Sequence, residues 1–283
     1  MKVPFWKVES IGNDFPLFRA EDLGGHLGAP CWADRVQKLT DRHFGIGGDG
    51  VLTLEVLAPD RFRLRMFNPD GTEDFCGNGI RTAAWLAYRQ GWAGPVQTIH
   101  HGDREIPVAI EGDHVATTLG QATYDPAMVP TSATYEMFGA TVWAGMIDDT
   151  PLSFFGSALS TGSTHVVIPT ASLPHDPDFA EVSQRIEHDH KFPQRTSVIW
   201  AETVGRDELR IRIWERGVGE TQGCGTGSSA AAADYLRRQS RGGSVVVHNP
   251  GGDVEVRAEA WNAPLTIRGT ARLVYAGSVA IER

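Results

Sequence analysis

Two cysteines lie in near-copies of one short motif, in opposite halves of the chain. Residues 76–84 read CGNGIRTAA and residues 224–232 read CGTGSSAAA, so Cys76 and Cys224 are 148 positions apart. The alanine-rich continuation predicts a helix that starts at each cysteine. Unpaired N–H groups and the helix dipole at such a start favour a thiolate and predict a lowered thiol pKa. Two such thiols suit a reaction that removes a proton from one face of a carbon and delivers one to the other.

Backbone groups beside each cysteine are suited to hold an anion. The residues that follow the two thiols are Gly77-Asn78 and Gly225-Thr226. Glycine lets a ligand approach the backbone closely, and the N–H groups of a helix start bind carboxylates. Each motif therefore predicts a proton-transfer group beside a carboxylate site. The alternative is a buried structural cysteine in a glycine turn, and the presence of two copies argues against it.

Polar residues flank both motifs. Glu215-Arg216 follows a strand that ends at Trp214, and the arginine could hold a second carboxylate in bidentate fashion. The alternative for this pair is a surface ion pair at a strand end. Asn68 opens the turn signal Asn68-Pro69-Asp70-Gly71 shortly before Cys76, so it could face the same cleft.

The composition excludes several classes of protein. The chain has 283 residues, enough for two domains, and a formal net charge of −9, which argues against nucleic-acid and membrane-surface partners. No apolar run is long enough for a membrane span, and the start reads as a strand instead of a signal peptide. Three cysteines, an odd number, argue against a secreted disulfide framework, so we expect a cytoplasmic protein.

No cofactor or metal is expected. None of the four lysines stands in a context typical of a pyridoxal Schiff base. The run GIGGDG at 45–50 formally fits a dinucleotide motif, but a strand-like run follows it, which predicts a tight turn. There is no zinc-ligand spacing; we expect Cys31 to pack as a small buried residue and most histidines to lie at the surface.

The pattern of elements is similar in both halves. Strands are predicted over 3–8, 51–57, 61–67, 164–168, 197–201 and 209–214, with further short strands and a helix over 32–39. Many short strands around one helix per half imply a rolled sheet wrapped on a central helix. A turn-rich segment over 121–134 marks a domain boundary.

Longer motifs resemble the diaminopimelate epimerase family over nearly the whole chain. They are Gly12-Asn13-Asp14-Phe15, the RHFGIGGDG run at 42–50, Asn68 through Arg81, Glu215 through Gly227, and Pro250-Gly251-Gly252. The resemblance implies two pseudo-symmetric α/β (α+β) domains, each a rolled, mostly antiparallel sheet around a central helix, with the active site in the interdomain cleft. We assign the domains to residues 1–122 plus 269–283 and to 123–268.

The resemblance also implies roles for individual residues. Cys76 and Cys224 would form the base and acid pair. The backbone N–H groups of Gly77, Asn78, Gly225 and Thr226 would hold the reacting carboxylate. Asn13, Asn68, Glu215 and Arg216 would surround the substrate, with His165 near the catalytic pair. The family needs no cofactor and is often dimeric, so a homodimer is an expectation.

Two departures from the family bear on the substrate. Ser163 and Ser197 stand where the family usually has asparagines that bind the distal end of diaminopimelate, and a hydroxyl offers fewer hydrogen bonds than an amide. The leading hypothesis is a cofactor-independent epimerase of L,L-diaminopimelate. The alternatives are a racemase of another amino acid, such as histidine, on the same scaffold, and a non-catalytic thiol switch that joins the two cysteines.

Overall fold

The computed structural model describes residues 2–281, and strands predominate in its mixed α/β fold. The elements up to residue 121 are β1 (Lys2–Ser10), β2 (Asn13–Arg19), α1 (Ala20–Leu23), a 3₁₀ turn (Gly24–His26), α2 (Trp32–Thr40), β3 (Val51–Ala58), β4 (Arg61–Phe67), β5 (Glu73–Asp74), α3 (Gly77–Arg89), β6 (Val96–His101), β7 (Arg104–Glu111) and β8 (His114–Gln121). The later elements are β9 (Ala140–Ile147), β10 (Thr150–Ser160), β11 (Thr164–Thr170), α4 (Asp178–Glu187), β12 (Ser197–Gly205), β13 (Glu208–Glu215), β14 (Gly219–Thr221), α5 (Gly225–Arg238), β15 (Gly243–Asn249), β16 (Gly252–Ala258), β17 (Pro264–Thr270) and β18 (Arg272–Ala280).

The chain divides into two compact units. One unit holds the residues up to Thr118 and those from Arg268 onward, and the other is Leu119–Ile267. The last strand, β18, belongs to the first unit because it pairs antiparallel with β1 along almost its whole length. The domain boundaries assigned from the sequence, after residues 122 and 268, stay a prediction.

In the first unit the strands surround helix α3. Strands β2 and β3 are parallel and are connected through α2, β3 and β4 are antiparallel, and β4 also pairs parallel with β6, with α3 in the connection. Every residue of α3 from Asn78 to Ala87 is buried. A helix buried on all sides needs small side chains where strands approach it, and α3 supplies Gly79, Ala83, Ala84 and Ala87.

The second unit repeats this order of pairing. Strands β11 and β12 are parallel and are connected through α4, β12 and β13 are antiparallel, and β13 pairs parallel with β15, with α5 in the connection. Helix α5 is buried from Gly227 to Asp234, and its centre is a run of four alanines. The predicted fold class, two similar halves each built around a central helix, is therefore confirmed.

Two helices were missing from the sequence prediction, the four-residue α1 and the longer α4. Helix α4 buries Phe179, Val182 and Ile186, which follow the spacing of an amphipathic helix. It covers Trp200 and Trp214 on the face of the sheet opposite α5, just as α2 covers the other face in the first unit. None of the helices described over residues 2–281 is long and apolar enough to cross a membrane.

Candidate active site

Cys76 is the N-cap of α3. Its backbone is extended, with φ −135° and ψ 105°, and its Sγ accepts a hydrogen bond of 3.2 Å from the backbone N–H of Gly79. A Cβ built on Gly79 would lie 3.4 Å from the sulfur and 3.0 Å from Leu52 Cδ2. The glycine therefore lets the thiol lie directly against the first turn of the helix, as an N-cap side chain does.

Cys224 repeats this geometry at the start of α5. Its φ of −131° and ψ of 114° match those of Cys76, and its Sγ lies 3.4 Å from the donating N–H of Gly227. A Cβ on Gly227 would lie 2.8 Å from Ile199 Cδ1, the counterpart of the contact with Leu52 in the first unit. The sequence repeat thus corresponds to one local structure that occurs twice, and both predicted helix starts are confirmed.

The surroundings of Cys224 oppose ionisation of its thiol. Burial raises the pKa of Cys224 above its ordinary range, and the nearby carboxylate of Glu215 raises it further, against the hydrogen bonds from Thr226 and Gly227. The expectation of a lowered pKa is therefore wrong for Cys224. The desolvation of a thiolate outweighs what two hydrogen bonds at the helix start supply.

Three of the predicted site residues lie together at the start of α3. Asn78 is buried, and its Nδ2 donates a hydrogen bond to Oδ1 of Asn13, at the first position of β2. The side chain of Asn68, by contrast, makes its hydrogen bond within its own turn. Its Nδ2 donates to Thr72 Oγ1 at 3.1 Å, within the turn that the sequence predicts. Gly77 has open space on its Cβ side, consistent with a backbone that a ligand can approach.

A second group gathers at the start of α5. Ser163 Oγ donates to Thr226 Oγ1 at 3.2 Å and is joined to His165 Nε2 by a hydrogen bond of 2.9 Å. Thr226 Oγ1 lies in turn 3.3 Å from the sulfur of Cys224. Burial, together with the charge of Arg216, lowers the pKa of His165 to about 3, so its ring is neutral near pH 7.

Ser197 and the Glu215-Arg216 pair adjoin this group. Ser197 is the partner of His165 in the parallel pair of β11 and β12, and its Oγ accepts the backbone N–H of Arg216 at 3.1 Å. Glu215 accepts a hydrogen bond of 2.6 Å from Thr221 Oγ1. The guanidinium of Arg216 is exposed and donates to the carbonyl of Gln194 at 3.2 Å.

His101 was missed in the sequence prediction, which placed most histidines at the surface. It is 2% exposed, its Nε2 accepts the backbone N–H of Cys76 at 3.0 Å, and its ring stacks on Phe75. Burial lowers the pKa of His101, which keeps the ring neutral and able to accept. A signal existed in the sequence, because Gln97, Ile99 and His101 alternate along β6 on its buried face.

Glu187 was also missed. Its carboxylate, at the end of α4, is 2% exposed and accepts hydrogen bonds from Trp214 Nε1 at 2.6 Å and from the backbone N–H of Gly217 at 2.8 Å. It also pairs with Arg195, which has a φ of +62°. These contacts hold the turn that follows β13 and carries Arg216. Nothing in the local sequence of α4 distinguishes this glutamate from a surface one.

Two further predictions concern residues outside the motifs. The glycine-rich run at 45–50 forms bends and irregular backbone between α2 and β3 and opens no helix, as expected of a turn and not of a dinucleotide motif. A Cβ on Gly50 would lie 2.5 Å from the carbonyl oxygen of Phe67, so that glycine serves close packing. The prediction that Cys31 is buried is wrong: it is exposed just before the first turn of α2, where Trp32 fills the core instead.

Comparison with known proteins decides the family. The family model described as diaminopimelate epimerase matches residues 11–124 and 157–274. The chain belongs to the diaminopimelate epimerase family. It is 32% identical to a diaminopimelate epimerase of Teredinibacter turnerae, over 99% of each chain, and 33% identical to one of Moorella thermoacetica, over 98% of this chain and 99% of the relative. The protein is accordingly an isomerase.

Solved structures show the same fold at low sequence identity. A phenazine biosynthesis protein of the PhzF family from Bacillus anthracis superposes with a TM-score of 0.67 at 17% identity, over 99% of this chain and all of the other. A probable proline racemase from Agrobacterium radiobacter gives a TM-score of 0.68 at 14% identity, over 99% of this chain and 93% of the other. The fold of this family member is thus shared with proteins that carry different names.

Proposed function

We propose that the protein is a cofactor-independent amino-acid epimerase in which Cys76 and Cys224 act on opposite faces of one α-carbon. The observation that carries this proposal is the repeated geometry of the two thiols, each the N-cap of a buried helix with a glycine two positions into the helix. A structural cysteine has no need of such a start in both halves. We further propose L,L-diaminopimelate, converted to the meso form, as the substrate.

The chemistry balances without a cofactor. One cysteine, as thiolate, takes the α-proton, and the electron pair of the C–H bond moves into the substrate carboxylate. The other cysteine, as thiol, delivers its proton to the opposite face, so the product has inverted configuration and the two cysteines have exchanged protonation states. The N–H groups of Gly77, Asn78, Gly225 and Thr226 would hold the carboxylate, whose charge grows in the intermediate.

Burial and the Glu215 carboxylate favour the protonated state of Cys224. Because of this we propose Cys224 as the proton donor in the first turnover. The ammonium group of a bound substrate would favour the thiolate through its positive charge, which would permit Cys224 to act as base in the reverse direction. His165 is neutral and would act by orienting Ser163 and Thr226, since it holds no proton to donate as an imidazolium.

A second candidate, a racemase of another amino acid, is favoured by the two serines. Ser163 already bonds His165 and Thr226, and Ser197 already accepts the backbone N–H of Arg216. These hydroxyls are engaged within the protein and are shorter than the asparagines usual in the family. If diaminopimelate is the substrate, the polar contacts of its distal, non-reacting end would then have to come from Asn13, Asn68 and Arg216.

Exchange of the α-proton in deuterated water tests both candidates. We expect the purified protein to incorporate deuterium into L,L- and meso-diaminopimelate and to interconvert them. A panel of single-centre amino acids that includes histidine serves as the comparison. Exchange with one of these and none with diaminopimelate would assign the second candidate, whereas exchange with no amino acid would overturn both.

A further inference from the structure

Four side chains of the first unit form a continuous hydrogen-bonded row. Asn13 Nδ2 donates to Asp49 Oδ2 at 3.2 Å, Asn78 Nδ2 donates to Asn13 Oδ1, and Arg81 Nη2 donates to Asn78 Oδ1. Arg81 also donates through Nε to Ser10 Oγ at 3.2 Å. The row runs from the glycine-rich turn, through the start of β2, to the first turns of α3. It therefore links the Asn13 motif to the Cys76 motif.

The two ends of the row determine its direction. An ionised carboxylate can only accept hydrogen bonds and a guanidinium can only donate them, whereas an amide can present either end. Asp49 therefore requires the NH₂ group of Asn13, which turns the Asn13 carbonyl towards Asn78. Arg81 requires the carbonyl of Asn78, which turns the Asn78 NH₂ group towards Asn13. Both ends demand the same arrangement, so neither amide can flip without placing two acceptors or two donors together.

Both ends are themselves held in place. Asp49 Oδ2 accepts the backbone N–H of Asp14 at 3.1 Å, and its Oδ1 accepts Arg42 Nη2 at 2.7 Å. Arg81 is fully buried inside the ring of strands around α3. A flip of the Asn78 amide would thus leave unpaired polar groups beside the buried Arg81, where each such group is destabilising by roughly 1–3 kcal/mol.

We propose that Asp49 and Arg81 are positioning residues that fix the amide of Asn13 so that it offers the substrate an N–H donor. Asn13 is half-buried, its carbonyl is engaged by Asn78, and one of its two Nδ2 hydrogens is engaged by Asp49. The second Nδ2 hydrogen of Asn13 can therefore donate a hydrogen bond to a ligand, and a carboxylate oxygen of the substrate would accept it. This inference rests on the proposed function, because that proposal makes Asn13 a substrate contact.

A reversal experiment separates positioning from structural support. The Asn78→Asp variant places a carboxylate between Arg81 and the Asn13 carbonyl, so two acceptors meet. Adding Asp49→Asn allows the Asn13 amide to flip, so that the direction of these hydrogen bonds reverses. Asn13 would then donate to the carboxylate at position 78 and accept from the amide at position 49. We expect the double variant to melt at a higher temperature than Asn78→Asp alone. Its kcat/KM should stay about tenfold or more below wild type, because Asn13 now presents its carbonyl.

Two single substitutions test the same inference if the double variant does not fold. Asp49→Ala frees the Asn13 amide and should lower kcat/KM about tenfold, mainly through KM. Arg42→Gln is the matched control: it removes the exposed guanidinium that bonds Asp49 Oδ1 and Asp14. It leaves the bonds of Asp49 Oδ2 to Asn13 and to the backbone N–H of Asp14 in place, and should change kcat/KM less than about twofold.

Two results would overturn the inference. One is a double variant no more stable than Asn78→Asp alone, and the other is a double variant with wild-type kcat/KM. If the wild-type protein proves inactive on every amino acid, the proposed function fails. The comparison of melting temperatures still tests the orientation of the row, since it needs no substrate.

Discussion

At the scale of single residues, neutral buried histidines stand beside both thiol motifs. His101 accepts the backbone N–H of Cys76, and His165 bonds Ser163 close to Thr226. In each case burial disfavours the imidazolium, so the ring serves as a hydrogen-bonding group. The family resemblance implied a role for His165 but not for His101. The burial of His101 depends on which face of β6 meets the helix, and the sequence motif does not contain that information.

His165 makes the stability of the protein depend on pH. Its pKa is about 3 in the folded protein and near 6.5 in an unfolded chain, so the unfolded state binds more protons between these values. The free energy of unfolding should therefore fall as the pH is lowered from 6.5. For this one group the loss is on the order of 2 kcal/mol by pH 4.5.

Urea unfolding of a His165→Gln variant at several pH values measures this contribution. We expect a flatter pH dependence than in wild type, because glutamine does not titrate. His190→Gln, which replaces a side chain that is 84% exposed, is the control for the substitution itself. Equal slopes for all three proteins would show that His165 is not held neutral by the fold.

At the scale of elements, the starts of α3 and α5 are the parts that the sequence predicts best. The repeated motif combines a capping residue, glycines and an alanine run, and these local features are sufficient to predict the helix and its first residue. The contacts of Glu187 could not be predicted in this way. They join the end of α4 to Trp214 and Gly217, which are 27 and 30 positions away in the sequence.

Alanine scanning of the helix glycines tests the close packing at the second thiol. Gly227→Ala would bring a methyl group to 2.8 Å from Ile199 Cδ1, whereas a methyl on Gly77 would meet no atom within 4 Å. Overpacking of this kind is destabilising by about 1–3 kcal/mol, while alanine in a helix is otherwise favoured over glycine by about 1 kcal/mol. Gly227→Ala should thus melt below Gly77→Ala. The reverse order would show that Gly227 is not needed for packing.

Glu187→Gln tests how α4 supports the turn with Arg216. Both oxygens of Glu187 accept hydrogen bonds, from Trp214, Gly217 and Arg195. The NH₂ group of a glutamine would therefore face a donor instead of accepting from it. We expect a loss of about 3 kcal/mol in the free energy of unfolding, as for other broken buried charge networks, and a raised KM. Glu181→Gln, in an exposed ion pair on the same helix, should change stability by less than about 0.5 kcal/mol. Equal effects of the two changes would contradict the supporting role.

At the scale of the whole molecule, one sequence of pairings is built twice. Matching the two glycine contacts, Leu52 in one unit corresponds to Ile199 in the other. Counting along the paired strands, Asn13 then corresponds to Ser163 and Asn68 to Glu215. The central helices and their thiols are alike, whereas the strand ends around them carry different polar residues.

This asymmetry explains what the sequence could and could not predict. The repeated thiol motif predicts the fold and is the basis of the reaction that we propose, because its residues recur at fixed spacing. The polar residues at the strand ends are held by partners remote in sequence, such as Asp49 for Asn13 and Arg216 for Ser197. Their hydrogen bonds, and with them the selectivity for a substrate, become visible only in the folded chain.

The first turnovers in deuterated water test the central claim, that two thiols share one inversion. Because one cysteine removes the α-proton and the other delivers a solvent-derived deuteron, newly formed product should carry deuterium while the remaining substrate keeps protium. Cys76→Ser and Cys224→Ser should each abolish inversion while leaving the protein folded by circular dichroism. Product that retains the substrate's own proton, or full inversion by either single variant, would contradict the account.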